Sequence, residues 1–266
     1  FVGANVDTDD VFYLKDFQVT QIGCVAEYLP ESISDSTWLD SSGNELDGSV
    51  SGATAVNAEA GIVARDSHLL ESKTVADLQS GASFSFDGTD DDVDLGASNQ
   101  IVTGNHVTIS AWVKVASGST SKSRAITFQK GVTSTGLALT VNSNSGTDAG
   151  GYVGALVWGG SGFNYINHSA GLNDGSWHYL VLTTTPSDQS LYIDGVLALT
   201  ASHGFSNQFS SDSALIGSVL TQEYFDGQIS QVRIHNRALS ADEVRASYNG
   251  QAVGFEYAGT KEAQET

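Results

Sequence analysis

Short alternations of apolar and polar residues recur along most of the chain and predict β-strands. In residues 107–115 every odd-numbered position is apolar, which places those side chains on one face and Trp112 on the other. Comparable segments follow, separated by turns rich in Gly, Asn, Asp and Ser: AITFQK, GLALTVN, YVGALVW, FNYIN, HYLVLTTT, QSLYID, VLALTA, ALIGSVL and QISQVRIHN. We expect these strands to close as two packed antiparallel sheets, an all-β jelly-roll sandwich.

Sequence motifs typical of turns and of a helix start lie between and after the predicted strands. Asp194-Gly195 between LYI and VLAL predicts a tight hairpin, because type I′ turns need positive φ angles. Asp87-Gly88 and Asp226-Gly227 each follow a phenylalanine, and we expect both pairs to be turns anchored by that aromatic ring. SADE at 240–243 matches a capping box and predicts one short C-terminal helix.

The same patterns suggest how the chain is divided. Residues 1–22 predict a terminal strand of an upstream module or an added strand, and residues 23–37, which contain Pro30, predict a linker. The sandwich is expected over 38–250, with 59–80 as an excursion over its surface, and 251–266 as a solvated tail. The chain starts with Phe1 and has no Met, so we expect a processed product or a piece of a longer polypeptide.

Composition narrows the function classes. Eleven Lys and Arg against 31 Asp and Glu give a formal charge of −20, which argues against nucleic acid or an anionic membrane as partner. The acidity is explained by solubility, or by divalent cation binding at particular Asp clusters. No apolar run is long enough to span a membrane. Cys24 is the only cysteine, so it forms no internal disulfide, and we expect a buried, inert thiol.

Four stretches in order resemble a known family: WLDSSGNELDGSVSG, SFDGTDDDVDLG with VTISAWVKV, GSWHYLVLTTTPSDQSLYIDGVLAL, and FDGQISQVRIHNRALSADEVRASY. Together they resemble laminin-G-like, concanavalin A-like lectin/glucanase jelly rolls. The loop sequences further resemble laminin-G-like modules of bacteriophage tail and other virion proteins. That resemblance implies a non-enzymatic structural or adhesive module on a virion surface or outside the cell. It also implies assembly subunits as partners, an oligomeric setting and host glycan as ligand.

Two alternatives stay open. The chain could be a carbohydrate-binding module of a secreted polysaccharide-degrading enzyme, or a glycan hydrolase or lyase itself. Hydrolysis needs two carboxylates placed on one face, and glucanases of this superfamily carry Glu-x-Asp-x-x-Glu on one strand, a pattern missing from this chain. His178 is expected to be structural. We therefore predict no catalytic residues.

Residues 87–94 contain five aspartates, for which there are three hypotheses: a turn, a metal site or a catalytic cluster. The run does not fit an EF-hand, because its sixth position is Asp92 and its twelfth is Ser98. A turn is expected first, and a calcium ion held by oxygens from several loops second. The candidate ligands are Asp40, Asn44, Asp47, Asp87, Asp90 and Asp226.

Sugar binding needs an aromatic platform and planar polar side chains. The Gly-rich stretch VWGGSGFNYINHS supplies such residue types, and LTQEYFDG supplies a further tyrosine. The predicted carbohydrate-binding residues are Trp158, Asn164, Tyr165, Asn167 and Tyr224.

Overall fold

The computed structural model describes residues 24–33, 36–56, 83–97, 101–102, 105–119, 123–130, 135–144, 147–159, 162–169, 171–203, 213–219 and 223–249. The segments predicted as an upstream strand (1–22), a surface excursion (59–80) and a tail (251–266) lie outside these ranges.

The described residues form antiparallel strands and a short helix. The strands are β1 (Cys24–Ile33), β2 (Thr37–Asp40), β3 (Gly48–Ser51), β4 (Thr54–Val56), β5 (Ser83–Asp87), β6 (Asp92–Ala97), β7 (Val107–Val115), β8 (Ser123–Lys130), β9 (Thr135–Asn144), β10 (Thr147–Gly159), β11 (Gly162–Ser169), β12 (Trp177–Thr184), β13 (Asp188–Ile193), β14 (Val196–Ser202), β15 (Ser213–Ile216) and β16 (Asp226–His235). Helix α1 spans Ala241–Tyr248.

Hydrogen bonding joins the strands into one ladder in the order β11-β10-β9-β8-β15-β6-β3-β2-β1-β16-β7-β12-β13-β14, with β5 paired to β16 and β4. The ladder folds back on itself, because β9, β10 and β11 approach β12, β13 and β14 face to face. The predicted all-β sandwich with antiparallel sheets is confirmed.

The core lies between the two layers. Leu137, Leu139 and Ile166 of one layer belong to the same apolar cluster as Leu180 and Leu191 of the other. Strand β7 faces this cluster with its odd-numbered positions, as predicted, while Trp112 packs on the opposite side beneath α1. Because side chains alternate along a strand, β7 contributes one set of residues to the main core and Trp112 to the face covered by α1.

Residues 24–33, which lie in the segment that the sequence pattern assigned to a linker, form β1 and pair with β16. Ala26 and Tyr28 are fully buried there, so this strand contributes to the core. The register of β1 against β2 shifts between Tyr28 and Ile33, the stretch that contains Pro30. A bulge of this kind accommodates a residue without an N–H donor, which explains why proline did not end the strand.

The predicted Asp194-Gly195 hairpin is confirmed. Asp194 and Gly195 have φ angles of +50° and +77° and join β13 to β14. A Cβ atom at position 195 would lie 3.0 Å from the Tyr248 side chain, so glycine also admits α1 to this corner.

The two Phe-Asp-Gly triplets lie opposite each other, with Asp87 paired to Asp226 across β5 and β16. The rings of Phe86 and Phe225 are buried and meet edge-on, with centroids 6.0 Å apart. Asp87-Gly88 is the predicted turn, with Gly88 at φ +78°. The second triplet is different, since Asp226 begins a strand. A Cβ at Gly227 would collide with the Lys114 carbonyl oxygen, so that glycine permits close strand approach instead of a turn.

The predicted capping box opens α1: the Ser240 hydroxyl accepts from the Glu243 N–H, and the Glu243 carboxylate accepts from the Ser240 N–H. Val244 is buried, and the Tyr248 ring stacks on Trp112 with centroids 5.6 Å apart. Within the described part of the chain, no helix is long and apolar enough to cross a membrane.

Candidate functional site

Strands β9, β10 and β11 form one end of the ladder and present a face directed away from the main core. On β9, Leu137 and Leu139 point into the core, whereas Ala138 belongs to a separate small cluster. On β11, Ile166 joins the core, and Tyr165 packs against Ala138 on the other side. Strand alternation therefore gives this end of the sheet a second face, which we call the β9–β11 face.

The register places two rows of residues across the β9–β11 face. Ala138, Leu156 and Tyr165 occupy one row, and Thr140, Gly154 and Asn167 occupy the next. Tyr165 and Asn167 are half-buried, whereas Ala138 and Thr140 are fully buried. Asn167 thus has Gly154 and Thr140 as its row neighbours, and Tyr165 shares its row with Leu156 and Ala138.

Gly154 allows two polar side chains to approach the sheet closely. A Cβ there would overlap Asn167 Oδ1 and lie 2.9 Å from Thr140 Oγ1. Among the described residues, the Thr140 hydroxyl has no hydrogen-bond partner, although it is buried. Such a group is costly to leave unpaired and calls for an explanation.

Two of the five predicted carbohydrate-binding residues meet on this face, Tyr165 and Asn167. Trp158 lies on β10 opposite Gly136 and Phe163, and Asn164 lies on β11 opposite Val157. Their side chains lie outside the described set. Tyr224 is half-buried just before β16, whose ladder partners are β1, β5 and β7, so it does not belong to the two rows. Thr140 was not among the predicted site residues, because the burial of its side chain on the outer face depends on which strands pair with β9.

A second candidate site lies at the turn between β5 and β6. Oxygen atoms of Asp87, Asp90 and Asp91 can be chosen that all lie within 4.8 Å of one another. Asp87 and Asp90 are exposed, whereas Asp91 is 6% exposed. Three carboxylates at this spacing suit a hard divalent cation such as calcium. Asp87 and Asp90 were predicted ligands, and Asp91 was not.

Asp91 is held in place by the backbone of its own turn. Its Oδ2 accepts the Asp87 N–H at 2.8 Å, and its Oδ1 lies where a Cβ of Gly52 would otherwise be. Burial, together with the charges of Asp87 and Asp90, raises the pKa of Asp91. A bound cation would offset this cost by neutralising the cluster.

Three of the other predicted metal ligands, Asp40, Asn44 and Asp47, make hydrogen bonds with backbone groups. Asp40 accepts N–H bonds from Glu27, Ser42 and Leu46; burial alone would raise its pKa, but these hydrogen bonds lower it. Asp47 accepts the Asp40 N–H at 2.9 Å, and the Asn44 amide donates to the Val25 carbonyl. Asp226 lies opposite Asp87, yet the three-carboxylate cluster does not include it.

His178 contacts two carboxylates. Its Nδ1 lies 2.9 Å from Asp194 Oδ2, and its Nε2 lies 3.5 Å from Asp174 Oδ1. Asp194 also accepts the Tyr179 N–H, so the pair fixes the β13–β14 hairpin against β12. The hydrogen bond with Asp194 raises the pKa of His178 despite partial burial. The geometry supports the structural role expected for this histidine.

Cys24 is an unreactive thiol. Its Sγ contacts the carbonyl oxygens of Ala26 and Ile234 at 2.8 and 3.2 Å. Burial raises its pKa to about 12, which leaves almost no thiolate at neutral pH.

Solved structures with a similar fold include a domain of an arabinanase and binding domains of toxins. Domain 4 of AbnA, a GH43 extracellular arabinanase from Geobacillus stearothermophilus in complex with arabinotriose, matches with a TM-score of 0.64 at 18% identity, covering 84% of this chain and 97% of that domain. The binding domain of Paraclostridial Mosquitocidal Protein 1 gives 0.62 at 14% identity, covering 86% and 52%. The botulinum neurotoxin serotype G binding domain gives 0.61 at 13% identity, covering 85% and 50%.

The chain thus spans about half the length of the toxin binding domains and nearly all of the arabinanase domain. No curated protein sequence matches it. A family model described as the concanavalin A-like lectin/glucanases superfamily, of the laminin-G type, matches residues 87–245, more than half of the chain. The sandwich and this match agree, and the chain belongs to the concanavalin A-like lectin/glucanase superfamily.

Proposed function

We propose that the chain is a non-catalytic carbohydrate-binding module that works outside the cell or on the surface of a particle. The observation that carries this proposal is that Tyr165 and Asn167 lie two positions apart on β11, side by side on the β9–β11 face. Residues two apart on a strand are about 7 Å apart. A sugar ring stacked on Tyr165 would therefore place its hydroxyl groups within reach of the Asn167 carboxamide.

The composition of the face fits a sugar. Aromatic rings bind the apolar side of a sugar, and planar amides bind its hydroxyl groups. Gly154, which has no side chain, leaves room beside the Asn167 carboxamide. The similarity to an arabinanase domain seen with arabinotriose supports the same ligand class for this chain.

Three carboxylates among the described residues serve structural roles, which supports a binding role over hydrolysis. Asp40 and Asp91 accept backbone N–H groups, and Glu243 binds Arg237 through two hydrogen bonds of 2.9 and 2.6 Å. These acids are occupied in holding turns and the helix start. A hydrolase needs an acid and a base that converge on one cleft.

Calcium is the proposed cofactor, bound by Asp87, Asp90 and Asp91 with backbone carbonyl oxygens. Its role would be to stabilise the turn between β5 and β6. Because β5 pairs with β16 and β6 with β3 and β15, this turn links strands on both sides of the sandwich.

A glycan array tests the proposal. The wild-type chain should bind a subset of polysaccharides, and Tyr165→Ala and Asn167→Ala should each lose that signal. Thr200→Ala serves as the control, because it removes an exposed hydroxyl from β14 in the other layer. Flat signals across the array would reject glycan binding, and release of reducing ends from any bound polysaccharide would reject the non-catalytic claim.

Two hypotheses concern the assembly or polypeptide in which the chain functions. Loop sequences similar to virion modules favour a structural or adhesive part of a phage particle, with other subunits as partners in an oligomeric assembly. Similarity to an arabinanase domain favours a secreted polysaccharide-degrading enzyme. Mass spectrometry of the intact precursor separates them: a tail or capsid polypeptide supports the first, and a catalytic domain in the same chain supports the second.

A further inference from the structure

The two ends of the strand ladder lie on the same side of the sandwich. Strand β11 pairs only with β10, and β14 pairs only with β13, so these two strands end the ladder. Because β11 lies over β14, both layers end together. We call these two strands, Gly162–Ser169 and Val196–Ser202, the open side of the sandwich. Within the ranges that the structure describes, no strand pairs with the outer edge of either one.

The open side contains no Asp, Glu, Lys or Arg. Its strands have the sequences GFNYINHS and VLALTAS, in a chain that otherwise carries a net charge of −20. Exposed edge strands are commonly protected against pairing by lysine or proline, and neither strand contains one. The register of β14 against β13 shifts once, between Leu197 and Leu199, and residues 199–202 beyond it are regular. This edge is therefore suited to pairing with another strand.

Strand β14 also exposes apolar surface. Val196 and Leu197 are 68% and 50% exposed, and among the described residues the other large exposed apolar side chain is Leu39 on β2. Leu199 and Ala201 are half-buried and pack against the main core. The core thus extends to the edge of β14, where water still contacts part of it. A second protein surface placed here would bury apolar area that the single chain leaves exposed.

We propose that the open side is the contact between two copies of the chain, with β14 of one copy pairing antiparallel to β14 of the other. A twofold axis perpendicular to the layers makes identical strands antiparallel, and it also places β11 beside β11 of the second copy. The two strands supply eight and seven residues from each copy. A standard interface has about 20–30 residues a side, so we expect a dimer with a dissociation constant of about 1–100 μM.

A second copy fits this surface better than an extended segment of a different protein. Two open sides match in both layers at once, whereas one added strand would extend only a single layer. Repulsion between two chains of charge −20 is also smallest where uncharged strands meet. Because β11 carries Tyr165 and Asn167, the dimer places two β9–β11 faces side by side, a consequence that rests on the proposed function, whereas the dimer itself does not.

Sedimentation velocity of the full chain, without any sugar, tests the dimer. From about 1 to 500 μM, the average mass of wild type should rise toward twice the monomer mass. The dissociation constant should be several-fold lower in about 0.5 M than in 0.05 M NaCl, because salt screens the repulsion between the two acidic chains.

Two matched variants locate the contact. Leu197→Lys adds a charge to the edge of β14 and should weaken the dimer at least tenfold. Leu39→Lys is the control, because Leu39 is 47% exposed but lies on β2, which pairs with β1 on one edge and β3 on the other. It makes the same change in net charge and should dimerise like wild type. Both replaced side chains are exposed, so melting temperatures measured below the dissociation constant should agree within about 2 °C.

A wild type that stays monomeric up to about 500 μM at both salt concentrations overturns the proposal, and would leave a strand of a different protein as the partner for this edge. A dimer that Leu197→Lys leaves intact places the contact elsewhere and also overturns it. Equal weakening by Leu197→Lys and Leu39→Lys does the same, because the effect would then come from net charge and not from the open side. Glycan binding by a strictly monomeric wild type would retain the proposed function while rejecting this inference.

Discussion

Removing the carboxylate of Glu243 gives the sharpest stability prediction. Glu243 accepts two hydrogen bonds from Arg237 at 2.9 and 2.6 Å and a third from the Ser240 N–H at 2.8 Å. The Arg237 guanidinium, with the Ser240 contacts, lowers the pKa of Glu243 from 4.5 to about 2. A shift of this size corresponds to about 3 kcal/mol of stability if none of it is screened by solvent.

Solvent screening reduces that figure. Both side chains keep about a fifth of their surface exposed, 22% for Arg237 and 21% for Glu243. We expect Glu243→Gln to lose about 1–2 kcal/mol at pH 7 in urea unfolding, a value between exposed and buried ion pairs. The melting temperature should fall by about 2–6 °C. Asp242→Asn is the matched control, since its pair with Arg245 is exposed on both sides, and we expect it to lose less than about 0.5 kcal/mol.

The pH dependence provides a second check. Because the folded pKa is lowered, the stabilisation is complete above about 4.5, the unfolded value, and is lost as pH falls toward 2. The difference between wild type and Glu243→Gln should therefore narrow over that window. Equal losses for Glu243→Gln and Asp242→Asn, or a difference that persists unchanged in acid, would refute this account of α1.

Three further predictions concern the hairpin corner and the acidic cluster. His178 has a raised pKa, so its contribution to stability is complete below about pH 6.5 and is lost as pH rises through the folded pKa. Asp194→Asn should flatten this pH dependence of the melting temperature. An unchanged pH profile in that variant would exclude the His178–Asp194 pair as the cause. Tyr248→Ala removes the ring stacked on Trp112 and should cost about 2–3 kcal/mol in urea, whereas no measurable loss would show that α1 does not depend on this contact. Calcium at about 100 times its dissociation constant should raise the melting temperature of the chelated protein by about 5–10 °C, with the rise absent in Asp91→Asn and retained in Asp94→Asn; no rise at millimolar calcium would remove the site.

The features predicted correctly are those determined by nearby residues. The odd-numbered positions of 107–115 face the core because strand alternation is local. Asp194-Gly195 forms its hairpin because the required φ angles belong to those two residues. The capping box at Ser240 joins residues three apart, so its sequence contains the whole motif.

The features that were missed depend on distant partners. Strand β1 was predicted as a linker because Pro30 argues against a strand, and only a bulge against β2 accommodates it. Asp226-Gly227 resembles a turn, but the close approach of the Lys114 carbonyl on β7 determines its role. Asp91 Oδ1 lies where only a glycine at position 52, far away in sequence, leaves room, and Thr140 lies beside Gly154 because of the register of β9 and β10.

Calorimetric titration of wild-type chain and Tyr165→Ala with a series of neutral oligosaccharides, arabinotriose included, tests the central claim most directly. The account predicts saturable binding of at least one neutral sugar by wild type, and at least a tenfold loss in Tyr165→Ala, since the variant loses both the stacking ring and the apolar area buried against it. Asn167→Ala should lose binding to a similar extent. Saturable binding that is equally strong in wild type and both variants would place the glycan elsewhere, and no binding at millimolar sugar would contradict a carbohydrate-binding role.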